Sequence, residues 1–379
     1  MQGAEFEQVY DFGNLYAGFL KARRGKRHKP SVAKFEANLL EALCLLSEML
    51  KTKTYRPSDY FVFKVYEPKE RIVMTNAFKD KVVQHSLCDN ILEHAFSKAF
   101  IRDNYASQSG RGTHDGLYRL EEFMRSYYFT RKANAERERR AAGLPPPGQE
   151  EVRHYSDGWV LKCDISKYFY SIQHEPLKQM TRKYIKDPDI LWLVDLIVDS
   201  TENPGIPIGR FTARAQPDFQ GTLDGGRSMD HFIKEKLGIR YYGRYMDDFY
   251  LIHEDKAYLQ YCRGEIEQYV ARLGLRMNKK TNIFPLRNGI DFLGFHTYLT
   301  ESGKIIRKVR RSSKSNAQRK LKKQRGLLDR EKISLSDIEQ SYGSWRSHAV
   351  KGNCYHLIQK TDSLFQNLFK ESEKQWPKV

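Results

Sequence analysis

Residues 240–255 read RYYGRYMDDFYLIHED, two β-rich apolar runs with two aspartates, Asp247 and Asp248, set between them. That pattern predicts a hairpin with acids at its tip. Paired acids beside buried strands cost free energy unless cations compensate them, so the segment demands either a basic neighbourhood or a metal. An Asp-Asp turn also occurs as ordinary hairpin chemistry, and this segment alone does not separate the two. A second stretch does. WVLKCDISKYFYSI, residues 159–172, is an apolar strand that delivers Asp164 at its end, 83 residues before Asp247. Two strand-borne acids of this kind can converge from neighbouring strands and clamp two Mg2+ ions about 3.5–4 Å apart, the arrangement that serves in-line phosphoryl transfer. Mg2+ suits such a site because it binds through few carboxylates and keeps positions for substrate phosphates.

Other segments fix the fold class. Apolar residues at Phe35, Leu39, Leu40, Leu43, Leu46 and Leu50 have helical spacing, residues 60–66 (YFVFKVY) are β-rich, and residues 76–100 return to helical character. Trp159–Asp164, Arg240–Tyr245 and Phe249–His253 are further strands. Strands separated irregularly by helices predict an α+β fold. Residues 131–158, where RKANAERERRAAG runs into LPPPGQEE, predict an exposed linker or surface insertion.

Charge points to the partner. The chain of 379 residues carries 65 Lys and Arg against 47 Asp and Glu, a net +18. The surplus is uneven, since Lys304–Arg325 holds eleven basic residues and no acid. An unmixed run of that length favours phosphate binding over a merely solvated helix face. No run of about 18 apolar residues is present, which excludes a membrane-spanning reading. The N-terminal 30 residues lack an apolar secretory core, and the five cysteines (Cys44, Cys88, Cys163, Cys262, Cys354) are scattered without a C-x-x-C pair. Both features predict a reduced, cytoplasmic setting.

Asp164 in LKCDISKYF, then GIPIG at 205–209, YMDD at 245–248, LRMNKKT at 275–281 and DFLGF at 291–295 form an ordered set that resembles the motifs of reverse transcriptases. Upstream, YRP at 55–57, EPKERIV at 67–73, FKDKVVQHSL at 78–87 and SGRGTH at 109–114 resemble the fingers of the bacterial enzymes; downstream, SYGSWRSHA at 341–349 resembles their thumb. The group-II-intron-like and diversity-generating-retroelement enzymes are the types it is most similar to. The resemblance implies a right-hand polymerase fold: an N-terminal basic extension (1–30), fingers (31–130), the insertion (131–158), a palm of antiparallel sheet and helices (159–300) and a helical thumb (301–379).

It also implies roles. Asp164 and Asp247 would ligate both Mg2+ ions, for which Mn2+ can substitute, with Asp248 adjacent and the Ile165 carbonyl completing a shell. Phe169 would stand against the sugar C2′ and exclude a ribose hydroxyl, although a core Phe is the simpler reading of the residue. Lys69 and Arg71, two apart and so on one face of a strand, would grip a triphosphate beside Gly209. Lys280, next to Lys279, would protonate departing pyrophosphate. Arg111, flanked by Gly110 and Gly112, would contact template. Phe292 and Gly294 in FLGF would form a primer grip, while Lys304, Arg307, Lys308, Arg310 and Arg311 would track the duplex backbone. Trp345 and His348 would pack the thumb core. Expected partners are an RNA template, a DNA primer or cDNA, dNTPs, a structured non-coding RNA, and an accessory protein or a second copy.

Between Gly209 and SMDHFIKEKLGI the sequence departs from the family pattern. Ala213 and Arg214 stand where Ser and Gln are expected, and QPDFQGTLDGGR at 216–227 is a poor helix by propensity. With no H-N-H endonuclease evident, a stand-alone retroelement enzyme is the leading expectation. A defence reverse transcriptase and a catalytically dormant RNA-binding protein are the alternatives.

Overall fold

Helical spacing at the N-terminus is realised as four helices: α1 (Ala4–Tyr10), α2 (Phe12–Arg23), α3 (Pro30–Ala37) and α4 (Leu39–Lys51). The computed structural model describes residues 4–66, 70–97, 100–106, 108, 110–146, 153–206 and 228–369, excepting the side chains of Ala4, Arg71 and Arg153. Asp11 caps α2 by accepting from the Asn14 amide at 2.9 Å, satisfying one of the donors that a helix start leaves open. Within the expected N-terminal basic extension, residues 4–23 are thus helical and packed. Phe6, Val9, Leu15 and Phe19 are buried, and the Phe19 ring packs against Phe35 and Phe78 at 5.8 and 6.1 Å. Gly18 makes this possible, because a Cβ there would lie 2.8 Å from the Val82 carbonyl on the helix beneath.

The β-rich stretch after α4 becomes the antiparallel pair β1 (Phe61–Val65) and β2 (Arg71–Thr75). It is followed by α5 (Phe78–Leu87), a wide turn at Cys88–Leu92, and α6 (Glu93–Ser97). A 29-residue helix, α7 (Thr113–Ala141), comes next. The expected exposed insertion from residue 131 is thus helical as far as Ala141, and its described residues are largely exposed. Ala-rich, charge-laced sequence is good helix, and Glu136 lies within ion-pair reach of both Lys132 and Arg140, each four residues away.

β3 (Trp159–Asp164) leads into α8 (Tyr168–Ser171), α9 (His174–Tyr184) and α10 (Pro188–Val198). After α11 (Met229–His231) come β4 (Tyr241–Tyr245), β5 (Asp248–His253), α12 (Lys256–Arg272) and β6 (Asn282–Pro285). The sheet order is β4–β5–β3–β6, with the two aspartate-bearing strands side by side. β5 presents four consecutive buried residues, Phe249–Ile252, which is why its sequence reads as a continuous apolar run and not an alternating one. The last part comprises the antiparallel sheet β7 (Ile290–Phe292), β8 (Phe295–Leu299) and β9 (Ile305–Val309), then α13 (Arg311–Leu328), α14 (Leu335–Ala349) and α15 (Tyr355–Phe369).

The chain divides into two compact units. One takes residues 1–116, 161–251 and 257–282; the other takes 117–160, 252–256 and 283–379. The second unit is therefore larger than a thumb starting at residue 301. Its core joins Leu117 of α7 to Phe295, Val309, Ala349 and Cys354, and a neighbouring cluster gathers Leu321, Ile338, Tyr342 and Phe369. Trp345 packs against both clusters, and the His348 ring lies 4.4 Å from that of Phe295, the core roles expected of them.

Candidate active site

A two-residue turn joins β4 to β5, and its first residue, Met246, has φ +58°. Positive φ at the first turn position is what a twisted two-residue hairpin asks for, and glycine normally supplies it. Here a side-chain-bearing residue carries the strain instead, which costs of order 1 kcal/mol and is the kind of local cost that collects at working sites. The turn sends its two aspartates to different partners.

Asp247 is drawn to the end of β3. Its carbonyl accepts the Ile165 amide at 3.3 Å, and its carboxyl lies close enough to Asp164 to feel that residue's charge. Burial and then the Asp164 charge push the Asp247 carboxyl above the usual carboxylate range, against the opposing pull of its own backbone and of Lys162. Asp248 goes elsewhere. It forms an ion pair with Lys162, which lies two residues before Asp164 on β3. Asp248, expected beside the two ligands, thus has a cation as its partner. Among the described residues no group of three or more His, Cys, Asp or Glu side chains is assembled as a metal site. The reason is electrostatic: Lys162 offers Asp248 a counter-ion, whereas Asp164 and Asp247 face each other.

Asp164 is held by a residue that motif reading passed over. Asn278 donates its side-chain amide to Asp164 Oδ2 at 2.7 Å and its backbone N–H to the Asp164 carbonyl at 2.7 Å. Ile165 forms a bridge with Met277, so the segment 276–278 is stitched along the outgoing end of β3. Lys280 is exposed two residues later, and its amide donates to Asn278 Oδ1 at 3.1 Å. Asn278 was visible only as one letter of LRMNKKT, where the lysines attract attention.

Beneath the hairpin, a buried polar group fixes β4. Arg244 is 1 % exposed and lies 2.9 Å from Asp230. Asp230 also accepts from Tyr242 Oη at 2.5 Å and from Asn104 Nδ2 at 3.0 Å. The segment Asp103–Tyr105 runs parallel to β4 here, exchanging backbone hydrogen bonds with Arg244 on both sides. Neither Arg244 nor Asp230 stood out in the sequence, since a lone Arg in a β-rich run reads as an exposed edge charge.

Phe169 is half-buried in α8, with its carbonyl accepting the Ile206 amide at 2.9 Å. Arg111 is exposed, and its guanidinium donates to the Arg102 carbonyl at 2.7 Å. Lys69, Gly209, the side chain of Arg71 and the atypical stretch 210–227 lie outside the described residues.

In the second unit, Leu293 and Gly294 (φ +48° and +88°) form the tight turn of FLGF between β7 and β8. Phe292 is fully buried, which corrects its reading as a nucleic-acid contact: only the turn's backbone is on offer. Arg307 is corrected likewise. It is 8 % exposed, lies 3.2 Å from Glu121 and stacks over Tyr118 and Phe295. Lys304, Lys308 and Arg311 are exposed, and Arg310 is half-buried 3.7 Å from Asp291. On α13 only Leu321 and Gln324 are buried, leaving Lys314, Arg319, Lys320, Lys322 and Lys323 exposed.

Residues 64–297, more than half the chain, match the reverse transcriptase (RNA-dependent DNA polymerase) family. The chain belongs to that family. No curated protein matches the sequence significantly. Among solved structures, this reverse transcriptase is similar to telomerase from Candida albicans in complex with a fragment of telomeric RNA, with 12% identity, a TM-score of 0.45, and coverage of 86% of this chain and 62% of that one. It is also similar to apo telomerase from Candida tropicalis truncated from its C-terminal domain, with 11% identity, a TM-score of 0.40 and coverage of 68% and 58%. The chain thus spans less than two thirds of the length of either. No described helix is long and apolar enough to cross a membrane.

Proposed function

We infer that this reverse transcriptase is the RNA-directed DNA polymerase of a compact bacterial retroelement, of the group-II-intron-like or diversity-generating type, copying RNA into cDNA from a DNA primer. The observation that carries the reading is the Asp164–Asp247 pair, two carboxyls on adjacent strand ends, joined through the Ile165 amide and the Asp247 carbonyl and coupled through their charges. The donor set fits a hard divalent cation: all-oxygen, partly buried, and carrying mutual repulsion that a cation relieves. Mg2+, or Mn2+ in its place, would be held by Asp164, Asp247 and the Ile165 carbonyl. When bound, such ions lower the pKa of a primer 3′-hydroxyl and neutralise charge on the leaving pyrophosphate.

The chain's own residues do the rest. Asn278 fixes the Asp164 carboxylate, and Lys162 keeps Asp248 paired outside the immediate metal position. Phe169 sets sugar selectivity by filling the space of a 2′-hydroxyl. Lys69 and Arg71, with Gly209, hold the triphosphate, and Lys280 gives a proton to pyrophosphate. Arg111 and the Leu293–Gly294 turn guide template and primer, while Lys304, Lys308 and Arg311 with the α13 lysines bind the duplex backbone through charge alone. A structured RNA is the natural template, and a cytoplasmic setting follows from the scattered, unpaired cysteines.

Primer extension on poly(rA)/oligo(dT), with Mg2+ and separately with Mn2+, tests the reading against Asp247→Ala. Product from the native chain and none from the variant is expected. Absence of DNA synthesis by the native chain with either ion overturns it.

A further inference from the structure

The first unit holds a second concentration of charge that polymerisation does not use. The loop joining α2 to α3 and one side of α5 enclose a cavity of about 330 Å³. Lys26 and Lys29 reach it from the loop, Lys29 being the residue immediately before α3. Lys81, Gln84 and His85 reach it from α5, where spacings of three and four residues put them on one face.

Three ammonium groups around one hole repel each other. Burial, then the Lys26 and Lys29 charges, hold the Lys81 amine below the usual lysine range. Among the described residues no carboxylate lies within 4.0 Å of any of the three nitrogens. Of the nearby acids, Asp80 offsets only part of this lowering and accepts its hydrogen bonds from Tyr55 Oη at 2.8 Å and the Ser58 amide at 3.1 Å, while Asp89 pairs with Lys21 at 2.8 Å. His85 Nδ1 is buried without a hydrogen-bond partner, 3.9 Å from Asp89. Lysines that merely kept a surface soluble would spread into water. Lysines lining one cavity beside a buried ring nitrogen that lacks a hydrogen bond instead describe a site whose stability improves when an anion enters.

We propose that this cavity binds a phosphate group, with Lys26, Lys29 and Lys81 supplying the charge and Ser31, Gln84 and His85 the directional hydrogen bonds. Ammonium groups serve phosphate as point charges that accept many approach angles. The volume is near the lower end of small-molecule pockets, about 300 Å³, and suits one phosphate with a sugar and not an extended ligand. The phosphate can belong to a free nucleotide or to an RNA chain. The site shares no residue with the aspartate pair, so it stands or falls independently of polymerase activity.

Lysine acylation of the full chain in Mg2+-free buffer, read by peptide mass spectrometry, tests it. The probes are inorganic phosphate, adenosine 5′-monophosphate, and one short RNA in 5′-phosphorylated and 5′-hydroxyl forms. At a probe concentration about ten times its Kd, modification of Lys26, Lys29 and Lys81 should slow about tenfold, while exposed Lys34 and Lys51 react as before. Protection by phosphate or the nucleotide identifies a free ligand, and protection by RNA alone identifies a nucleic-acid phosphate; either supports the site. No protection by any probe, or equal protection at Lys34 and Lys51, overturns it. Lys26→Gln/Lys29→Gln changes only exposed loop residues, so folding is spared. Protection of Lys81 should vanish in that variant, and its full retention also refutes the assignment.

Discussion

Arg244→Met removes a cation from a fully buried charged pair and keeps most of its hydrocarbon length. Arg244 Nη2 donates to Asp230 Oδ2 at 3.0 Å and Nε lies 2.9 Å from Oδ1. After the substitution, Asp230, itself 1 % exposed, keeps only the neutral donors Tyr242 and Asn104. Breaking one partner out of a buried pair costs about 3–5 kcal/mol. Hydrogen bonds to a charged group are worth about 1.5–3 kcal/mol each and here survive, which places the expectation at the low end, about 3 kcal/mol. With an m-value of about 1–3 kcal/mol/M in urea, the midpoint should fall by about 1–3 M. Hydrogen exchange of the β4 and β5 amides across a urea series reads this locally, so that the second unit does not blur it. Arg244→Met/Asp230→Leu removes both charges and should regain half or more of the loss. A shift below about 0.5 M in the single variant, or a double variant less stable than the single, refutes the reasoning.

Four further outcomes are expected. Asp247 has a raised carboxyl, so the folded chain holds its proton above the unfolded value near pH 4, and native stability falls as pH rises through that window and stays lowered above it. Asp247→Asn should therefore melt higher than the native chain at pH 7 without metal, with the gap closing below about pH 4 and Mg2+ stabilising only the native chain; a native chain that melts as high as the variant at pH 7 contradicts this. Phe169→Ala should incorporate rNTPs in primer extension, and unchanged sugar selectivity would remove its gating role. Lys304→Gln/Lys308→Gln/Arg311→Gln should flatten the slope of log K against log salt for duplex binding by up to about 2.7, at about 0.9 per lost phosphate contact. Arg307→Gln should leave that slope alone and lower the melting temperature, because it strands Glu121; the opposite pattern would return Arg307 to the binding surface.

Residues whose role is set by neighbours in sequence were legible, and those set by neighbours in space were not. The hairpin around Asp247 and the strand ending at Asp164 follow from β-rich runs broken by acids, and their adjacency in the sheet is realised. Helical periodicity gave α4 and α5, but not the break at Asn38 or the docking of α2, which depends on the absence of a Cβ at Gly18. The helix α7 has the same origin: the prolines at 145–147 follow a stretch whose own propensity is helical. Asn278, Lys162, Asp230 and Arg244 escaped because each is ordinary in its own segment and acquires meaning only from a partner at least 14 residues away.

The same distinction bears on charge. A count of +18 treats every Lys and Arg as available to a polyanion, yet the molecule uses them in three different ways. Arg244 and Arg307 are internal counter-ions, withdrawn from solvent by Asp230 and by Glu121 with two aromatic rings. Lys162 is intermediate: it satisfies Asp248 and at the same time draws down the proton affinity of Asp247. In the third group, the exposed cations of β9 and α13 and the lysines around the α2–α3 cavity, several charges gather without a buried carboxylate among the described residues, and they act together on an incoming phosphate. The aspartate pair is thus flanked by a cation already matched to a carboxylate, whose field still reaches Asp247.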